Sequence, residues 1–288
     1  MASRWGIGAW KAAILAPVLA ALALALGAAP AAAYADPFWK PDYKAAKDYA
    51  RQRHHNIRII GFTLRTPSRT WSYHGTSMIT AFSAIKVMIL TAYLRRGDVR
   101  DRSLSSDERY NLEQMIEWSN DSATWHIFGH VHCSGLDKLA RTVGMRHFES
   151  CGPNHDHWGR SLIDSDDQSL FLRDLAKYLP SKHRSYALKL LETIKRGNWG
   201  IGEIHPSGWH VHFKSGWGCG TGQADNQVAL LTRHGMRIGA AVLMKDIYPD
   251  ERSRPGGCYN NDGPYGQATL KGLFKRLLRG LGKNSLVQ

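Results

Sequence analysis

The β-patterned segments of this chain fall into two groups, and nothing constrains its fold more. Residues 57–64 are dense in branched apolar side chains, and residues 70–73 follow after a Thr66-Pro67-Ser68 turn. Residues 209–214, 227–232 and 237–244 repeat that character near the other end, separated by Gly-rich turns. Between the groups the apolar spacing becomes helical. Residues 83–95 (with Ile85, Met88, Ile89 and Tyr93), 107–118, 134–143, 166–178 and 182–195 read as helices. A polar amphipathic helix over 44–53 precedes the first strand, and a basic one over 266–281 follows the last. Two strands early and three late can form one antiparallel sheet, covered by the first and last helices. The expected architecture is α+β: a sheet lobe from about 36–80 and 205–288, an all-helical lobe from about 81–204, and a cleft between them.

Residues 1–35 stand apart from this pattern. Arg4 and Lys11 make a positive start, residues 12–29 are almost unbroken apolar, and Ala33-Tyr34-Ala35 precedes Asp36. This reads as a secretory signal cut after Ala35. A membrane anchor is the alternative, disfavoured by the Ala-rich run, Pro30 and the small-residue cleavage site. No later stretch is long and apolar enough to span a bilayer. Residues 36–288, read as a single domain, have ordinary globular usage, since the whole chain is 43% hydrophobic and 22% charged.

The formal charge of +14 becomes +12 without Arg4 and Lys11. Such a basic exported protein can adhere to anionic cell-wall polymers. Its basic residues are scattered and no nucleic-acid motif is present, so no nucleic-acid partner is expected. Four cysteines, Cys133, Cys151, Cys219 and Cys258, suggest two disulfides in an exported chain. Three pairings are possible, and Cys133–Cys151 with Cys219–Cys258 is favoured.

Three segments carry chemistry. In Ser83-Ala84-Ile85-Lys86, hydroxyl and amine share a helical face. A serine needs a proton acceptor to act as a nucleophile, and a lysine with a lowered pKa supplies one. Val87-Met88-Ile89-Leu90 follows, so Lys86 sits on a helix that looks buried. Ser119-Asn120-Asp121 lies between two helices, where small polar residues ordinarily cap, and where a second hydroxyl can shuttle a proton. Lys214-Ser215-Gly216-Trp217 ends a strand. Lys214 and Ser215 suit a carboxylate, and Gly216 permits close backbone approach. The Trp217 N–H can join that of Ser83 in an oxyanion hole.

Ser-x-x-Lys, then Ser-x-(Asn/Asp), then Lys-(Ser/Thr)-Gly, in this order, resembles the class A β-lactamases and penicillin-binding proteins. The likeness runs over roughly residues 45–278. It implies a β-lactamase/transpeptidase-like fold and a serine hydrolase working through an acyl-enzyme. Ser83 would be the acylated nucleophile, Lys86 the proton acceptor or relay, and Ser119 the donor to the leaving nitrogen. Lys214 and Ser215 would anchor the substrate carboxylate, with Asn120, Asp121, Gly216 and Trp217 completing the substrate site. The implied substrate is a β-lactam or a cell-wall D-Ala-D-Ala peptide. No cofactor or metal is expected, and the protein is expected to be a monomer.

Two departures qualify this. The family reads Ser-Asp-Asn where this chain has Ser119-Asn120-Asp121, so the contact to a substrate amide is altered. The Glu-x-x-x-Asn loop that activates the deacylating water is also missing. Glu149 lies at about its place, but Pro153 stands where the Asn belongs. Slow deacylation is expected, which keeps open a D-Ala-D-Ala carboxypeptidase or a penicillin-binding protein. A metal enzyme is the competing class, given 14 histidines. His126 and His130 lack the following glutamate of a zincin, and Gly159 stands where His155 and His157 would need an acid ligand. His210 and His212 alternate on a strand. Trp199, Trp209 and Trp217 either line a pocket or pack the lobe interface. A non-catalytic cell-wall binding module remains, although it would need neither Ser83 nor Lys86.

Overall fold

A computed structural model describes residues 39–219, 222–248 and 263–282 of the 288-residue chain. The proposed signal at 1–35 lies outside the described residues. Helix α1 (Tyr43–Arg53) is followed by strands β1 (Ile57–Arg65), β2 (Thr70–Tyr73) and the short β3 (Ile79–Thr80). A 3-10 turn, Phe82–Ile85, leads into α2 (Lys86–Leu94), then α3 (Ser106–Ile116) and α4 (Asp121–Val143). The two-residue β4 (Leu162–Ile163) precedes α5 (Ser165–Arg173), α6 (Leu175–Tyr178) and α7 (Arg184–Glu192). Strands β5 (His210–Cys219), β6 (Gln223–Arg233) and β7 (Met236–Ile247) and helix α8 (Pro264–Leu277) complete it.

The sheet order is β2-β1-β7-β6-β5, antiparallel throughout, so the α+β expectation holds. The early strand β1 pairs with the late β7, with Phe62 opposite Val242. His234 and Gly235 both sit at positive φ (45° and 80°), as a two-residue hairpin between right-twisted strands demands. Along β6 every residue from Gln223 to Leu231 is buried. Successive side chains point to opposite faces, so both faces of this strand are covered. Helix α5 packs on β1, β6 and β7, while α8, with α1 against it, packs on β6 and β7. Among the described residues no helix is long and apolar enough to cross a membrane.

Three features set up the site. Helix α2 buries nearly every residue, including Lys86, because it is apolar all round and lies between neighbours rather than on a surface. The pairing of β3 with β4, Ile79 to Ile163, continued by Ala81 N–H to Ser161 O (2.8 Å), fastens the segment before Ser83 to that after residue 160. The Cys133–Cys151 disulfide ties α4 to the same region. Cys219 is also disulfide-bonded, and Cys258, its expected partner, lies outside the described residues.

Several boundaries differ from the periodicity reading. The helix expected from residue 83 begins as a 3-10 turn and becomes α-helical only at Lys86. The helix expected over 134–143 starts at Asp121 and is broken at His132 (φ 55°, ψ 174°), where mixed polar and aromatic residues blur the apolar stripe. The third motif lies inside β5, which runs five residues past the expected end at Lys214; Gly216 and Gly218 read as turn residues by composition alone, yet pair with Asn226 and Ala224.

Candidate active site

Lys86 and Lys214 are both wholly buried, and their amines meet at Ser119. Lys86 Nζ donates to Ser119 O (2.8 Å), Asp121 Oδ1 (2.7 Å) and Ser119 Oγ (3.4 Å). Lys214 Nζ donates to Ser119 Oγ (3.0 Å) and Ser215 O (3.3 Å). One hydroxyl thus receives two amines, and one carboxylate serves them. Burial lowers the Lys86 pKa to about 8, with Asp121 pulling the other way. Lys214 is pushed well below the ordinary lysine range, first by burial and then by the charge of Lys86.

Local backbone strain helps to aim these groups. Ser119 has φ +56° and Phe82 has φ +48°, a region that costs a non-glycine residue about 1–3 kcal/mol. At Ser119 this conformation presents both carbonyl and hydroxyl to Lys86. At Phe82 it precedes the turn carrying Ser83. With all three protons of its ammonium assigned, Lys86 makes no hydrogen bond to Ser83, whose side chain lines a cavity of about 700 Å³.

Strand β5 is the sheet's edge and lies against the Ser83 turn. A Cβ on Gly216 would fall 2.4 Å from Ala81 O and 2.5 Å from Ala84 N, so only glycine permits this approach. Trp217 lines the cavity and packs edge-on against Trp199, ring centroids 5.8 Å apart. The Arg196 guanidinium lies 5.6 Å from the Trp217 ring.

Two residues expected at the substrate spend their side chains on other partners. Asn120 is the N-cap of α4: its Oδ1 accepts the Ala123 N–H (2.9 Å), and it does not line the cavity. Asp121 therefore takes the place against Lys86 and in the cavity wall, with 69% of its side chain exposed. Ser215 is fully buried, its hydroxyl donating to Gly197 O (2.5 Å) and accepting from Gln227 Nε2 (2.9 Å). It braces the strand from behind, and its one donor, the group a substrate carboxylate needs, is spent on Gly197 O. Glu149 pairs through its backbone with Leu162 and does not line the cavity, so it stands away from Ser83's opening.

The sequence reading missed one wall of the cavity, formed by His157, Trp158 and Arg160, and also Lys245 from β7. His157 Nδ1 accepts the Gly159 N–H (3.0 Å), which puts the proton of the neutral ring on Nε2, and burial lowers its pKa. The Trp158 ring lies 4.8 Å from Lys86 Nζ. The aromatic run His157-Trp158 next to a glycine was the available signal. Of the other histidines weighed as ligands, His210 meets Glu192 (2.6 Å) and His126 meets Asp107 (3.3 Å), but among the described residues none joins a group of three metal-binding side chains. Among the described residues the single such grouping is His147, Asp164 and Asp167, and there Asp167 Oδ2 already accepts the backbone N–H groups of Arg146 and His147.

No family model and no curated sequence matches the chain. Solved structures do. A β-lactamase from Xanthomonas campestris pv. campestris superposes with TM-score 0.67 at 14% identity, covering 84% of this chain and 99% of its own. A β-lactamase from Sphaerobacter thermophilus gives 0.66 at 17% identity, over 85% and 98%. A class A β-lactamase from Mycobacterium abscessus gives 0.64 at 18% identity, over 83% and 99%. With a five-stranded antiparallel sheet flanked by helices and nearly the whole length of each neighbour matched, this chain has the class A β-lactamase fold.

Proposed function

We propose that this protein is an exported serine hydrolase that transfers acyl groups through an acyl-Ser83 intermediate, acting on a β-lactam or a related amide or ester. The observation that carries the reading is the buried chain of Lys86, Ser119 and Lys214 beside a serine open to a cavity. Burying two amines costs several kcal/mol per ion, about what a catalytic site can justify and a binding surface has no use for. This weighs against a non-catalytic cell-wall module.

Ser83 Oγ attacks the carbonyl carbon as its proton passes to Lys86, whose lowered pKa makes the neutral amine accessible. The proton then crosses Ser119 Oγ to the leaving nitrogen. The backbone N–H groups of Ser83 and of Trp217 on the edge strand receive the oxyanion. Lys214 is wholly buried behind Ser119 and does not line the cavity, so it holds a substrate carboxylate through its charge, and the arriving anion favours its charged form.

Among the described residues Asp121 is the one carboxylate lining the cavity, and Lys86 already engages it. Attack of water on the acyl-enzyme then has no carboxylate base that is not already paired with a lysine. This favours, as a second reading, a D-Ala-D-Ala carboxypeptidase or penicillin-binding protein with slow turnover. The Cys133–Cys151 bridge supports export to an oxidising compartment, in keeping with the signal read at 1–35. We take the exported form to be a cofactor-free monomer. Intact-mass spectrometry after incubation with a fluorescent penicillin tests the reading. An adduct on Ser83, absent from Ser83→Ala, is expected; no adduct on the wild type refutes it. The rate of adduct loss separates a β-lactamase from a slow penicillin binder.

A further inference from the structure

Within Ser119-Asn120-Asp121 the side chain that reaches the cavity is a carboxylate acceptor, Asp121, and not the Asn120 amide. Asp121 opens α4; Lys86 occupies Oδ1, and 69% of the side chain is exposed. A carboxylate offers about four lone-pair sites, so acceptor capacity remains on the cavity side. Trp125 is four residues on, hence on the same helical face. Its ring packs on those of His157 (5.1 Å) and Trp158 (6.1 Å), both of which line the cavity. Trp125 is also one of the few large apolar side chains left exposed, at 41%. A carboxylate flanked by aromatic faces is what a cation seeks, because charge and ring quadrupole attract it together.

The sheet side of the cavity carries a cation. Lys245 lines it from β7, aligned through Ala224 of β6 with Gly218 of the edge strand. On the helical side Lys86 offsets Asp121 and Asp156 offsets Arg160, so the cavity sets the spare acceptor capacity of Asp121 against the cation of Lys245 on the sheet side.

We propose that the preferred substrate is zwitterionic, an amide or ester whose acyl portion carries an ammonium group that docks on the free oxygen of Asp121 against the exposed ring of Trp125. This rests on the acyl-Ser83 reading above for its orientation. A neutral acyl side chain presenting a carbonyl to Asp121 meets an acceptor with an acceptor, and is disfavoured.

The test compares two penicillins that differ by one amine, the α-aminophenylacetyl compound and the phenylacetyl compound, together with the N-acetylated form of the first. The second-order rate of Ser83 acylation is read by intact mass. The amine is expected to acylate about tenfold faster than either neutral compound, the worth of one partly exposed charge-assisted contact. In Asp121→Asn the ratio should fall to within twofold. The N-acetyl comparison removes the charge from the ligand, so it stands even if that variant folds poorly. Equal rates for all three compounds on the wild type overturn the proposal. Calorimetric binding of the same compounds to Ser83→Ala reads the preference without chemistry. If no compound acylates the wild type, the acyl-transfer reading fails, and this binding decides the charge preference alone: tighter binding of the amine supports it, and equal or undetectable binding overturns it.

Discussion

Replacing Gly216 with alanine probes the contact on which the site depends. The new methyl carbon would lie 2.4 Å from Ala81 O and 2.5 Å from Ala84 N, where ordinary contact begins near 3.4 Å. Both obstacles are backbone atoms of the segment carrying Ser83, so no side chain can swing aside. Either β5 or the Ser83 turn must retreat by about 1 Å. Overpacking of this kind costs about 1–3 kcal/mol. A displacement of about 1 Å between reacting groups costs on the order of 100-fold in rate. Urea unfolding and the second-order acylation rate of a fluorescent penicillin measure the two effects. Gly97→Ala is the control: its Cβ meets nothing within 4 Å, and stability should hold to about 0.5 kcal/mol. A Gly216→Ala protein that acylates within twofold of wild type at unchanged stability would show that β5 does not position Ser83.

Asp121 raises the Lys86 pKa against the effect of burial, so Asp121→Asn should move the acid limb of the acylation pH profile from about 8 to lower pH, by about one unit for a pair with one exposed partner. A neutral probe measured from acid to alkaline pH reads this, and an unmoved limb removes Lys86 as the proton acceptor. Lys214→Met exchanges a buried amine without its own carboxylate for an apolar side chain of similar length; stability should rise by about 1 kcal/mol or more while acylation is lost. A calorimetric melt paired with the adduct assay checks both halves, and a destabilised variant contradicts the account of the buried charge. In the wild type the depressed Lys86 makes the unfolded chain bind more protons above pH about 8, so unfolding free energy should climb from there toward the unfolded-state value near 10.5, and the depressed Lys214 adds a rise of the same sign. Titrating urea midpoints over that window follows it, and Lys214→Met should flatten the slope. Removing the Cys133–Cys151 bridge by double serine substitution should cost about 3 kcal/mol for the 18-residue separation. The thermal midpoint records the loss, and an unaltered midpoint means the bridge constrains little.

Local rules were enough for what depends on near neighbours in the chain. Branched apolar runs marked the strands β1 and β7, and the helical spacing of Ile85, Met88 and Ile89 marked α2. The order of Ser83, Ser119 and Lys214 along the chain resembles that of the class A β-lactamases and through that resemblance points to the fold. The division of labour within Ser119-Asn120-Asp121 was not local. It depends on which residue starts α4, since the N-cap consumes its own side chain: Asn120 caps, and Asp121 is left facing Lys86. Ser215 was lost to the cavity for a similar reason, because Gln227 and Gly197, far along the chain, already satisfy its hydroxyl. His157 and Trp158 joined the site only because β3 pairs with β4 and a disulfide holds their segment to α4. A sequence states which groups can donate, accept or carry charge. Whether water or protein surrounds them is set by contacts between distant segments, and that environment decides that Lys86 and Lys214 lie within reach of one serine hydroxyl with their charges destabilised.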